Sequence, residues 1–264
     1  MSRLQRQPVT PSDLRRFERA LVAVPPGHGR LERGLRLVMR VAFRLLGWRL
    51  ESLDVDRLPV DAAGRPGAGC IVAPAPHRAW IEPFLLLAAW PAHGAHLVWL
   101  ADGRTVTRSW WRRRLLPRLG VIPITGGTRA PATYAELATR ALRAGAAVVI
   151  FPEVGPPSDP DHVRRVSPGF AYIARRSGAP VVPVVIGGSH RIARGSRFSL
   201  QVLAPLHPGA SDPLPFRSSA RGPAQALAGD YEALVNAALP VLNVRVAAPG
   251  SRADRWAWLS RLLR

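Results

Sequence analysis

A histidine and a carboxylate lie close together in the stretch Cys70-Ile-Val-Ala-Pro-Ala-Pro-His77-Arg78-Ala79-Trp80-Ile81-Glu82-Pro83-Phe84. An apolar run that reads as a buried strand ends at two prolines, which hold the chain extended and deliver His77 just ahead of a helix. Five positions along one ideal helix would turn His77 and Glu82 away from each other. The two meet only if His77 lies in the loop and Glu82 in the first helical turn. A carboxylate against an imidazole fixes its tautomer and supports the charge gained when the ring takes a proton, which is general-base chemistry. The same pair also arises as a loop histidine and a helix-starting glutamate with no shared task. His93, His96 and His162 have no partners at metal-ligand spacing, and the lone Cys70 builds neither a thiolate zinc site nor an internal disulfide. No metal is expected. Gly187-Gly188-Ser189-His190 lacks the spacing of a nucleophile elbow, which sets a serine hydrolase aside.

The elements that must position these residues alternate. Short apolar runs at Cys70–Ala73, His96–Leu100, Val121–Ile124, Ala147–Phe151 and Val181–Ile186 read as buried strands, and Arg197–Leu203 as a further one. Helical stretches fall near Ile81–Trp90, Thr107–Arg118, Ala132–Ala144 and Gly169–Ser177. Such alternation predicts an α/β fold: a single domain with a mostly parallel central sheet flanked by helices, with amphipathic helical ends. The expected organisation is N-terminal amphipathic helices over 1–50, an α/β core over 51–205, and a C-terminal linker and helices over 206–264 in the same domain. Thr10-Pro11-Ser12-Asp13 marks one helix start. A second helix, from about Leu31 to Trp48, carries Arg33, Arg36, Arg40 and Arg44 on one face among Leu37, Val38, Val41, Phe43, Leu45 and Leu46. Two placements fit that composition: a helix in a membrane interface, or a domain helix with snorkelling arginines. A last helix is predicted from about Ala224 to Leu239.

With this framework, four blocks in order resemble the glycerolipid acyltransferase family, the lysophosphatidic acid acyltransferase-like enzymes. His77 matches the histidine of its first block, with Glu82 in the place of the family's aspartate; Leu119-Gly-Val-Ile-Pro-Ile124 matches its second, Phe151-Pro152-Glu153 its third, and Val181-Val-Pro183-Val184 its fourth. Ser167-Pro-Gly169-Phe-Ala171 matches the helix start between the last two. The resemblance implies transfer of a fatty acyl group from a thioester, acyl-CoA or acyl-acyl-carrier-protein, to a hydroxyl of a lysoglycerolipid-type acceptor. In this reading His77 is the base, Glu82 orients it, and no bound cofactor is required. Glu153, Gly155 and Pro183 would belong to the substrate site.

The sequence departs from the family at the arginines that grip the acceptor's phosphate. The second block ends in arginine in the family, where this chain has Gly126. The third continues Gly-Thr-Arg, where this chain reads Val154-Gly155-Pro156. Arg129, Arg164 and Arg165 are the candidate replacements from the loops.

Composition narrows the partners. All 37 basic residues are arginine, against 17 acidic ones, for a net charge of +20. A 47% hydrophobic content excludes global disorder. A lysine-free, Ala-, Gly-, Pro- and Arg-rich chain also follows from a GC-rich coding sequence. Arginine forks onto phosphate, which points to anionic lipid or nucleic acid. No nucleic-acid module is present, so an anionic membrane surface is the expected partner. Trp110-Trp111-Arg-Arg-Arg114 and the C-terminal Trp256, Trp258, Leu259 and Leu263 suit a headgroup layer. The uncharged run Pro83–Ala101 is broken by Pro91, His93, Gly94 and His96, and no cleavable leader is visible. The expected location is the cytoplasmic face of the cell membrane, held peripherally. A degenerate, lipid-binding family member without catalysis is the alternative that the missing arginines motivate.

Overall fold

The computed structural model describes residues 30–103, 109–124, 130–154, 159, 161–163, 165–190, 192–209 and 221–246. Seven strands form one sheet: β1 (Arg49–Leu53), β2 (Ile71–Ala75), β3 (Leu97–Asp102), β4 (Val121–Ile124), β5 (Ala147–Ile150), β6 (Val181–Gly187) and β7 (Arg197–Val202). Their spatial order is β1-β7-β6-β2-β5-β3-β4. Every pairing is parallel except β6 with β7. The helices are α1 (Arg30–Leu45), α2 (Glu82–Ala89), α3 (Trp110–Leu115), α4 (Ala130–Arg143), α5 (Gly169–Ser177) and α6 (Arg221–Val246). The fold is α/β with a mostly parallel sheet, as the alternation predicts.

Strands β2, β5 and β6 are buried at every position, because helices cover both faces and each side chain has a core to enter. Alternate residues serve opposite cores. Ile71, Ala73 and Ala75 of β2 join Val148 and Ile150 of β5 in the layer under α4, α5 and α6, with Phe170, Tyr231 and Leu239. Val72 and Val149 face the other way, toward α1 and α2, with Phe43, Leu85, Leu86 and Trp90. Cys70 enters this second core, where burial pushes its thiol up to about 12. It is a packing residue, not a nucleophile.

Two features at the N-terminal end differ from the sequence expectation. The helix stops at Leu45 instead of Trp48, because Gly47 takes a left-handed conformation (φ 67°) and turns the chain. The chain then enters β1, an edge strand that pairs Arg49–Leu53 with Arg197–Gln201. The arginines of α1 also do not share one environment. Arg36 is buried, while Arg40 and Arg44 are exposed. The predicted helix start at Thr10 and the C-terminal tryptophans lie outside the described residues.

Candidate active site

Strands β6, β2 and β5 are adjacent and parallel, so their C-terminal ends open together on one edge of the sheet. That is where ligands bind in open α/β sheets. Each of the three contributes to the site. After β2, a cis Ala75–Pro76 peptide leads to His77. After β5 come Phe151, Pro152 and Glu153. After β6, the turn Gly188–His190 carries Ser189.

Helix α2 begins at Glu82, with Pro83 in the next position, where a missing N–H costs the helix nothing. The Glu82 side chain is fully buried and folds back over the loop that precedes it. Its Oε2 lies 3.1 Å from His77 Nδ1. Its two oxygens also receive the Arg78 backbone N–H, at 3.0 and 2.8 Å, and Oε1 accepts the Ser189 hydroxyl at 2.7 Å. An ionised carboxylate only accepts, so the ring proton on this contact belongs to Nδ1. Nε2 is then the nitrogen left to take a proton. The His77 side chain is 45% exposed and lies against the Phe151 ring, with centroids 4.2 Å apart. The geometry is that of an oriented, solvent-reachable imidazole on a buried carboxylate bound by neutral donors.

Glu153 works on the same loop. Its Oε2 accepts the His77 backbone N–H at 2.6 Å, and its Oε1 is 3.7 Å from Arg78 Nη2. That nitrogen also donates to the His162 carbonyl at 2.7 Å. Buried Tyr231 donates to the Ala73 carbonyl at 3.1 Å. Burial, and then the charge of Glu153, hold its phenol well above the ordinary value, so it remains a neutral donor under the end of β2.

The remaining sequence candidates divide. Pro183 is buried in the middle of β6, paired with Ala73, inside the sheet and not at its edge. Arg165 is exposed, and its carbonyl accepts the Val154 N–H at 3.0 Å, so it lies across from the third block. Gly155, Arg129 and Arg164, along with Gly126, lie outside the described residues. Among the described residues no group of three His, Cys, Asp or Glu side chains could hold a metal ion. Sequence reasoning passed over Arg78 and Ser189. Position next to His77 was the available signal for Arg78. Ser189 stands 107 residues from Glu82, and only the pairing of β6 beside β2 brings them together.

Comparison with known proteins places this site in a class. Residues 58–187 match the model of the acyltransferase family, a span that holds His77, Glu82 and Glu153. The chain belongs to that family and is a transferase of acyl groups. Its fold is also similar to the crystal structure of the 1-acyl-sn-glycerophosphate (LPA) acyltransferase PlsC from Thermotoga maritima. The TM-score is 0.56 at 20% identity, with 87% of this chain and 88% of that one covered.

Proposed function

We propose that this protein acylates a free hydroxyl of a lysoglycerolipid, with an acyl thioester (acyl-CoA or acyl-acyl-carrier-protein) as donor, in glycerolipid biosynthesis. The observation that carries this is the His77 Nδ1–Glu82 Oε2 contact of 3.1 Å, on a histidine still open to solvent. His77 Nε2 takes the proton from the acceptor hydroxyl as its oxygen attacks the thioester carbonyl carbon. The tetrahedral intermediate collapses with loss of the thiolate, which recovers the proton from the imidazolium. Glu82 holds the ring in the tautomer that leaves Nε2 basic and stabilises the transient imidazolium. Neither an acyl-enzyme nor a bound cofactor is needed.

The reading includes a membrane surface. Helix α1 turns Glu32, Arg36 and Phe43 inward and leaves Leu37, Val38, Val41 and Leu45 46–75% exposed. That apolar outer stripe, with Arg40 and Arg44 exposed on the same helix, suits a helix lying at an anionic lipid interface. Among the described residues no helix is long and apolar enough to cross a membrane.

The test is acyl transfer by the purified protein with acyl-CoA and acyl-acyl-carrier-protein as alternative donors and lysoglycerolipids as acceptors. Wild type should transfer, and His77→Ala should not, with its melting temperature retained. Glu82→Gln should lose roughly 10²–10⁴-fold in rate. Full activity in His77→Ala overturns the assignment. A wild type that binds lipid but transfers nothing favours the catalytically degenerate alternative.

A further inference from the structure

Glu82 is a fully buried carboxylate, and among the described residues no arginine side chain bonds it. Arg78, the nearest cation in sequence, sends Nη2 to the His162 carbonyl and toward Glu153 instead. A buried charge of this kind is tolerated only when neutral donors surround it. The His77 ring and the Arg78 backbone N–H supply two of them, and both belong to the loop that Glu82 is meant to orient. A carboxylate held only by that loop would move with it. The third donor comes from elsewhere in the chain: Ser189 Oγ, 2.7 Å from Oε1, on a side chain in a residue 2% exposed.

The turn that carries Ser189 is itself fixed. Gly188 has φ 84°, and a Cβ there would sit 2.5 Å from the Arg197 carbonyl oxygen, so only glycine fits. Its N–H donates to Asn243 Oδ1 at 3.0 Å, from α6. Asn243 Nδ2 donates in turn to Asp161 Oδ1 at 2.8 Å, and Asn236 of α6 exchanges two hydrogen bonds with the Val163 backbone. Helix α6 therefore braces both the Ser189 turn and the segment whose His162 carbonyl receives Arg78.

We infer that Ser189 is a positioning residue for the base, locking the rotation of the Glu82 carboxylate so that Oε2 stays on His77 Nδ1. Glutamate has one more rotatable bond than the aspartate it replaces in the family pattern, so the carboxylate needs a second point of attachment. Ser189 provides it from a strand end that moves with the sheet. The inference rests on the general-base reading of His77.

The experiment uses the full chain labelled with ¹⁵N-histidine, with the His77 resonances assigned by their loss in His77→Ala. Wild type should show His77 protonated at Nδ1, and Ser189→Ala should shift the ring toward a mixture of tautomers. In steady state Ser189→Ala should lower kcat about 10–100-fold, the range for loss of a hydrogen bond to a charged group, with both KM values within about twofold. In a Glu82→Gln background the same substitution should change kcat by less than about twofold, because the charge it serves is gone. Ser189→Cys, close in size with a weaker donor, should fall between and carries the test if Ser189→Ala does not fold. An unchanged tautomer and kcat overturn the inference, and so does an equal loss in both backgrounds, which marks a merely structural serine. A wild type without acyl transfer whose His77 tautomer still depends on Ser189 leaves this inference standing and removes the acyl-transfer reading instead.

Discussion

Glu153 holds the backbone at His77: its carboxylate accepts the His77 N–H and faces the Arg78 guanidinium. It is occupied within the site, and its negative charge gives no grip on an anionic acceptor. The positions where the family pattern places phosphate-binding arginines hold Gly126 and Val154-Gly155-Pro156. Each lost charge-assisted contact is worth about 1.5–3 kcal/mol. Lysophosphatidic acid should therefore have little advantage here over an acceptor without a terminal phosphate, a kcat/KM ratio within about tenfold. Arg165, across from Val154, is the described candidate that could restore a grip. If Arg165→Ala, Arg129→Ala or Arg164→Ala abolishes a measured preference, that residue is the replacement. A preference above about 100-fold that survives all three substitutions contradicts this expectation. At this scale the sequence was legible where chemistry is local. His77 and Glu82 meet across one loop and one helix start, and proline placement foretells both. Ser189 and the bracing asparagines were not legible, since their contacts cross strands whose order no short window encodes.

Helix α1 shows a second kind of illegibility. A domain helix with snorkelling arginines, one of the two placements its sequence allows, would turn leucine and valine inward and arginine outward. In the fold the helix is turned the other way over part of its length. Arg36 bonds Glu32 and the Pro91 carbonyl, and Glu32 Oε2 is 2.5 Å from His96 Nδ1. These three polar residues are buried together with Phe43. A buried ion cluster of this type can outweigh a hydrophobic stripe, because an unpartnered buried charge costs more than an exposed valine. Strand β1 went unread for a related reason. Arg49–Leu53 is an edge strand of mixed, half-exposed residues with no apolar run, whereas the fully buried strands announced themselves. The cluster has a pH signature. Burial alone would raise the Glu32 carboxyl, but the His96 hydrogen bond and the Arg36 charge outweigh it and hold the group below its ordinary 4.5. A depressed carboxyl stabilises the fold above the unfolded value and loses that contribution as pH falls through the lower folded value. Glu32→Gln should accordingly destabilise the protein by about 3 kcal/mol at pH 7 in urea melts. The gap to wild type should begin to narrow as pH falls below the ordinary 4.5 and go on narrowing through the lower folded value. A gap that stays constant from pH 7 to pH 3 would show that the carboxylate charge is not what latches α1.

Over the whole molecule the sequence carries 37 arginines and a net charge of +20, while the edge of the sheet at His77 holds that histidine and two internally engaged carboxylates. On the proposed reading, the positive charge holds the protein against its substrate's source. A lysoglycerolipid resides in a bilayer, and an enzyme that acts on it gains from residence at that surface. On that reading the apolar residues on the outside of α1 and the arginines would give two separable contributions: one grows with buried apolar area, the other is attraction to anionic headgroups that salt screens over about 10 Å at 0.1 M. Vesicle sedimentation separates them. The protein should bind vesicles containing phosphatidylglycerol more tightly than pure phosphatidylcholine, and the difference should shrink as salt rises from 0.1 to 0.5 M. Leu37→Ser/Val41→Ser/Leu45→Ser should weaken binding to both compositions, by about tenfold, at unchanged melting temperature, since none of the three contributes to the core. Removing α1 outright is a poorer test, because Glu32, Arg36 and Phe43 go with it. Duplex DNA at matched salt is the control for charge alone, and it should be indifferent to the three serine substitutions. Binding that ignores lipid charge, salt and all three substitutions would mean that the outward face of α1 is not the surface that meets lipid.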